Sequence, residues 1–137
     1  MFDEMVAHAV QGLPNEACGV IAGREGRPVR MYPMRNAEES PVVYRFDDQE
    51  QLQVFMEIED EDWDLLAFWH SHTHTDPYPS PTDRDRAHWK DPVTGDLVPT
   101  YPGTRFLILS LRDRQDPEVR AFGFRNGDPV EEEVRLT

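Results

Sequence analysis

Apolar residues early in the chain fall at Phe2, Met5, Val6, Ala9 and Val10, the spacing of one helix face, and Gly12 and Pro14 then break the pattern. A first helix over 2–12 is predicted. CGVIAG (18–23) is a short apolar run bounded by glycines and predicts a buried strand, while PVRMYPM (28–34) and PVVYRFD (41–47) alternate apolar with polar residues and predict two more. Between Asp47 and Asp60, Leu52, Phe55, Met56 and Glu59 recur at i, i+3, i+4 and i+7, which predicts an amphipathic helix with an acidic outer face. DLLAFWHSH (64–72) is a continuous apolar run that ends in two histidines. It reads as a central strand whose carboxyl end leaves the core.

SPTDRDRAHW, from Ser80, has the signature of a helix start, with Ser80 at the N-cap, Pro81 at the first helical position and Asp83 at the third. His8 and His88 both fall on stretches read as helical. KDPVTGDLVPTYPG (90–103) carries three prolines and two glycines and predicts a long loop. TRFLILSL, EVRAFGFRNG and PVEEEVRL then predict three strands, with RNGD as the clearest turn between them. The order is helix, three strands, helix, strand, helix, three strands. That clustering predicts one α+β domain over 1–137, built on a mixed, mostly antiparallel sheet flanked by helices.

Composition narrows the function classes. With 137 residues, 38% of them apolar, the chain can bury one real core but not two. Its net charge of −13, from 14 basic and 27 acidic residues, repels phosphate backbones and argues against nucleic acid. No run approaches the roughly 18 apolar residues of a membrane span, and the acidic start MFDEMVAHAV lacks a secretory h-region. The lone Cys18 has no partner for an internal disulfide, which fits a reducing interior. The expectation is a cytoplasmic protein.

The chemistry gathers at the end of the histidine strand. Residues two apart in a strand point the same way, so His70 and His72 present their imidazoles together while Ser71 faces the other side. Catalytic zinc takes three protein ligands at about 2.0 to 2.2 Å and keeps one position open for water, whose pKa it lowers to about 7. Asp83 is the natural third ligand, reached across a loop stiffened by Pro77, Pro79 and Pro81. A water so activated still needs a base. Glu16, in LPNEACG between the first helix and the first strand, is where a carboxylate can sit at a sheet edge and serve, although spacing alone does not select it.

The spacing His-x-His-x7-Ser-x-x-Asp, read over His70, His72, Ser80 and Asp83, resembles the motif of the JAMM, or MPN-plus, zinc metalloproteases. PNEACG looks like the upstream glutamate segment of that family. The likeness runs from the first helix through Glu16, MRNAEESPVVYRF and the histidine strand to PGTRFLILSL. Within the family the chain most resembles small bacterial Mec-type members, which hydrolyse a cysteine adduct from the C-terminal glycine of a ubiquitin-like sulfur-carrier protein. The resemblance implies an MPN, cytidine-deaminase-like fold with a curved sheet, and a carrier partner with a Gly-Gly tail. It implies that His70, His72 and Asp83 ligate one zinc ion, that Glu16 is the general base, and that Ser80 donates to the oxyanion. The same chemistry would serve removal of ubiquitin-like modifiers from protein lysines, and a non-catalytic MPN scaffold would share the fold.

Other residues compete for roles. His74 is the rival ligand if the strand runs on, but TDPYPSP argues that it has ended; His74 and Asp76 are then candidates to orient a ligand imidazole. Cys18 abuts an apolar strand and reads as a small buried thiol rather than a nucleophile. Trp63, Trp69 and Trp89 read as core or rim. Two departures from the family stand out: the chain starts almost at its first helix, leaving a sheet edge that a second copy could cover in a homodimer, and the 90–103 loop is long for a small member.

Overall fold

A computed structural model describes residues 1–136; Thr137, the last position of the predicted domain, lies outside the described residues. The elements are α1 (Phe2–Gly12), β1 (Cys18–Arg24), β2 (Arg27–Met34), α2 (Asp48–Asp60), β3 (Asp64–His72), α3 (Pro81–Arg86), β4 (His88–Lys90), β5 (Leu97–Pro99), β6 (Arg105–Ser110), β7 (Glu118–Arg125) and β8 (Asp128–Glu132). Six strands form one sheet in the order β2-β1-β3-β6-β7-β8. Only β3 and β6 run parallel; the other neighbours are antiparallel. The α+β architecture with a mixed, mostly antiparallel sheet agrees with the prediction.

The two central apolar runs are continuous because both of their faces are covered. On one face Ile21, Ala67, Trp69, Leu107 and Leu109 meet Met5 and Ala9 of α1. On the other, Cys18, Val20, Ala22 and Phe68 meet Val54 and Ile58 of α2. Packing is close where α1 crosses: an added Cβ at Gly19 would lie 2.1 Å from Trp69 Nε1, so the indole needs glycine beside it. Hairpin turns with positive φ join β1 to β2 at Glu25 and Gly26, and β7 to β8 at Asn126 and Gly127, the latter within the predicted RNGD turn.

Four expectations are corrected. Residues 41–47 form no strand: a single bridge joins Asn36 to Phe46, and the segment folds over the Asn36 side chain, which donates to the Glu16 and Val43 carbonyls at 2.9 Å each. The alternation was compatible with a strand, but these backbone groups find a side-chain partner instead of a sheet edge. The buried face of α2 is Val54 and Ile58, with Phe55 packed beside them, while Leu52 and Met56 are 61% and 55% exposed. Helical spacing fixes a stripe but not which stripe meets the sheet. The 90–103 loop begins in and returns to a two-stranded ribbon, β4 with β5, in which Trp89 pairs Val98 and Lys90 pairs Leu97, before residues 100–103 leave it as a turn. His88 therefore lies on a strand, buried edge-on against Phe124, rather than on a helix.

Candidate active site

β3 carries His70 and His72 to the carboxyl end of its parallel pairing with β6, where His70 stands beside Ile108 and His72 beside Ser110. Crevices at the carboxyl ends of parallel strands are common ligand sites. Ser71, on the opposite face as the strand period requires, accepts from the Ala17 N–H at 2.8 Å, and its own N–H donates to the Ala17 carbonyl at 2.9 Å. These two bonds hold the Glu16 segment against β3. From the other side, the Glu16 N–H donates to Ser40 at 2.8 Å and Asn36 holds the Glu16 carbonyl.

The strand ends at His72, and the chain then turns through buried Pro77 and Pro79 to Ser80. Ser80 caps α3 as predicted. Its Oγ accepts from the Asp83 N–H at 3.1 Å, and the Asp83 carboxylate accepts from the Ser80 N–H at 2.9 Å, the reciprocal pair of a capping box. The cap orients the carboxylate. Asp83 Oδ2 lies 3.1 Å from His70 Nε2 and 3.0 Å from His72 Nε2, and the two imidazole nitrogens lie 3.2 Å apart.

The donor set can be tested against a metal from these contacts. A carbonyl only accepts, so the 2.8 Å contact between His72 Nδ1 and the Asp76 carbonyl places a proton on Nδ1. In the neutral ring Nε2 then carries a lone pair aimed at the Asp83 oxygen. Two imidazole nitrogens and a carboxylate oxygen this close in a buried site must hold a proton or a cation among them. Two imidazoles and one carboxylate suit zinc, and the three residues form a group able to hold a metal ion. They fit the group.

The titration of these groups follows from burial and from one another. Burial alone would raise the Asp83 carboxyl, but the hydrogen bonds with His70 and His72 hold it well below the usual carboxylate range. Burial opposes charge on His72, yet its bonds to Asp83 and to the Asp76 carbonyl raise it above its ordinary value. Glu16 is 4% exposed and its Oε1 has no hydrogen-bond partner among the described residues. Burial, and next the Asp83 charge, push its carboxyl up to about 8. The backbone bonds between Ala17 and Ser71 bring the Glu16 segment to the histidine end of β3.

The remaining candidates separate cleanly. Asp76 meets His72 through its backbone carbonyl, not its carboxylate, and both His74 and Asp76 are exposed. Cys18 is fully buried, and burial followed by the charges of Glu50 and Glu16 pushes its thiol up to about 12, which suits packing rather than nucleophilic attack. Trp69 is buried edge-on against His8, and Trp89 is half-exposed on β4. Sequence reasoning missed Ser71, Asn36 and Tyr44. The Tyr44 ring stacks on His70 with centroids 4.6 Å apart, and Arg86 donates to the Tyr44 carbonyl at 2.8 Å. An asparagine before a Ser-Pro turn was the one visible signal, since contacts across the sheet have no local spacing.

Comparison with known proteins identifies the family. A family model described as prokaryotic homologs of the JAB domain matches residues 1–122. Proteins named CysO-cysteine peptidase from Mycobacterium bovis and Mycobacterium tuberculosis are 41% identical over 139 residues, covering 99% of this chain and 86% of theirs. The solution structure of a Desulfitobacterium hafniense protein superposes with a TM-score of 0.79 at 34% identity, over 99% of this chain and 88% of that one. A Salinibacter ruber protein, at 22% identity and a TM-score of 0.63 over 96% of this chain and 84% of its own, shares the fold. With a family match over most of its length and relatives this similar from end to end, the chain belongs to the prokaryotic homologs of the JAB domain.

Proposed function

We propose that this hydrolase is a zinc enzyme that cleaves the amide bond after the C-terminal glycine of a ubiquitin-like sulfur-carrier protein and releases cysteine. The observation that carries the reading is the convergence of His70 Nε2, His72 Nε2 and Asp83 Oδ2 beside a buried glutamate. These three residues would hold the metal. A zinc ion bound there supplies a Lewis acid and makes hydroxide available at a pH of about 7.

Glu16 takes the proton of the attacking water and delivers it to the departing nitrogen. A buried carboxyl whose Oε1 has no hydrogen-bond partner among the described residues is free to serve both halves of that exchange. Ser80 uses a lone pair to accept from the Asp83 N–H, which leaves its O–H to donate to the oxyanion of the tetrahedral intermediate. Such a donor contributes roughly 3 kcal/mol to barrier lowering when it is preorganised. No covalent enzyme intermediate is required.

The name of the mycobacterial relatives, CysO-cysteine peptidase, supports a cysteine adduct over a lysine conjugate as substrate. An extended Gly-Gly tail can add to a strand edge near the metal ligands, a mode that selects flexible termini. A single buried thiol and the absence of any helix long and apolar enough to cross a membrane among the described residues fit a cytoplasmic enzyme. The paired test is Glu16→Ala, expected to retain zinc and lose turnover of a synthetic carrier conjugate, with His72→Ala, expected to lose zinc as well. Full turnover by Glu16→Ala would overturn the mechanism.

A further inference from the structure

A cavity of about 360 Å³ is walled by Tyr44, Phe46, Phe68, Tyr101 and Phe106. It lies on the same face of β3 as His70 and His72, because Phe68 precedes His70 by two residues, a step of about 7 Å along a strand. Phe106 is the register partner of Phe68 on β6. Tyr44 is a wall shared by both sites, since its ring lines the cavity and stacks on His70. Gln51 closes another side through its 3.3 Å bond to the Tyr101 hydroxyl.

Two charged residues line this space, and both are arginines on a protein of net charge −13. Arg45 is occupied by Glu38 at 3.3 Å and Asp48 at 3.7 Å. Arg86 forms no ion pair among the described residues; its Nη1 donates to the Tyr44 carbonyl, and the rest of its donor fork is unused. It follows Asp83 by three residues on α3, so the two side chains leave the same side of the helix. Arg86 is exposed one turn from a candidate metal ligand, and the part of its fork not bonded to Tyr44 is free to meet an anion at the cavity mouth.

We propose that this cavity receives the amino acid released by the reaction, and that Arg86 pairs with its α-carboxylate. The inference rests on the functional reading above, because it assumes that the leaving group is an amino acid. In an adduct the carrier's own terminal carboxylate is consumed in the amide, so the carboxylate next to the scissile bond belongs to the leaving residue. A lysine side chain leaving from an isopeptide carries no carboxylate at that distance. Arg86 would thus set the preference for a terminal amino acid over a protein lysine, by planar, charge-assisted hydrogen bonds that an arginine fork provides.

The test uses the zinc-loaded full chain and two synthetic peptides ending in Gly-Gly-Cys, one with a free α-carboxylate and one with a carboxamide. The parent should favour the carboxylate by about tenfold or more in kcat/KM, with the difference in KM. Arg86→Met should lose that preference and Arg86→Lys should keep part of it, which separates lost charge from a displaced Tyr44. A parent that treats both peptides alike, or an Arg86→Met protein that still discriminates, overturns the proposal and leaves the hydrolase reading intact. A second arm titrates S-methylcysteine and its amide, whose blocked sulfur is a poor metal ligand, into the parent and Arg86→Met by calorimetry. Carboxylate-dependent binding that disappears in Arg86→Met upholds the site even if neither peptide is cleaved, and then it is the functional reading that fails. No such dependence on carboxylate or arginine overturns the site.

Discussion

Ser80 and Asp83 hold each other through two reciprocal hydrogen bonds, Asp83 N–H to Ser80 Oγ at 3.1 Å and Ser80 N–H to Asp83 Oδ2 at 2.9 Å. The oxygen that closes this cap is the one that meets His70 and His72. A helix start and a candidate metal site are therefore built from the same atoms. Ser80→Ala should cost about 1 kcal/mol of stability as a lost N-cap. If Ser80 also donates to the oxyanion, kcat should fall by roughly a hundredfold in protein that is still folded and zinc-loaded. Chemical denaturation, zinc content and kcat on one preparation separate the roles; an unchanged kcat would reduce Ser80 to a cap.

The buried Glu16 carboxyl makes a prediction that needs no turnover. Its folded value, about 8, lies above the ordinary 4.5, so the folded chain holds this proton more tightly than the unfolded chain does. The resulting stability is fully present below pH 4.5, declines as pH rises, and is gone above about 8. In metal-free protein Glu16→Gln should thus be more stable than the parent at pH 8, by on the order of 2 kcal/mol after allowing for solvent screening, and the gap should close towards pH 4.5. Urea titrations across that window test it, and a gap independent of pH would refute it.

Metal affinity should fall in acid from an unusually high pH. His72 must be neutral to ligate, yet in the metal-free chain its bonds to Asp83 and the Asp76 carbonyl raise it above 6.5. Loading a metal below that raised value therefore releases a proton, and affinity drops there by about tenfold per pH unit. Competition with a chromogenic chelator at several pH values measures this slope. A flat profile between pH 8 and 6 would contradict the protonated-cluster picture.

Ser71 tests whether the glutamate is positioned from across the sheet. Ser71→Ala removes the acceptor of the buried Ala17 N–H and should cost about 1 to 3 kcal/mol. Zinc should still bind, because the His70, His72 and Asp83 side chains lie on the opposite face. Turnover should fall through kcat as Glu16 loses its anchor. Equal losses of zinc and rate would show general damage to β3 instead.

Much of this protein was legible in its amino-acid order because the governing rules are short-ranged. A strand buried on both faces must be apolar throughout, so CGVIAG and the start of DLLAFWHSH announced β1 and the first half of β3. Strand period alone put His70 and His72 on one face, and the cap signature placed Ser80 and Asp83 at a helix start. The spacing between those pairs identified the family before any contact was known.

Tertiary structure decided what depends on distant partners. It chose Val54 and Ile58 over Leu52 and Met56 as the buried face of α2, because a helical period is blind to where the sheet lies. It turned 41–47 into a loop around Asn36, since a free backbone takes whichever partner folding brings near. It buried Glu16 between Ser71 and the 36–43 loop, 54 residues separating Ala17 from the hydroxyl that anchors it. Residue types and local spacing named the groups able to do the chemistry; only the packing of remote segments could set their burial, and with it their protonation and the aromatic cavity beside them.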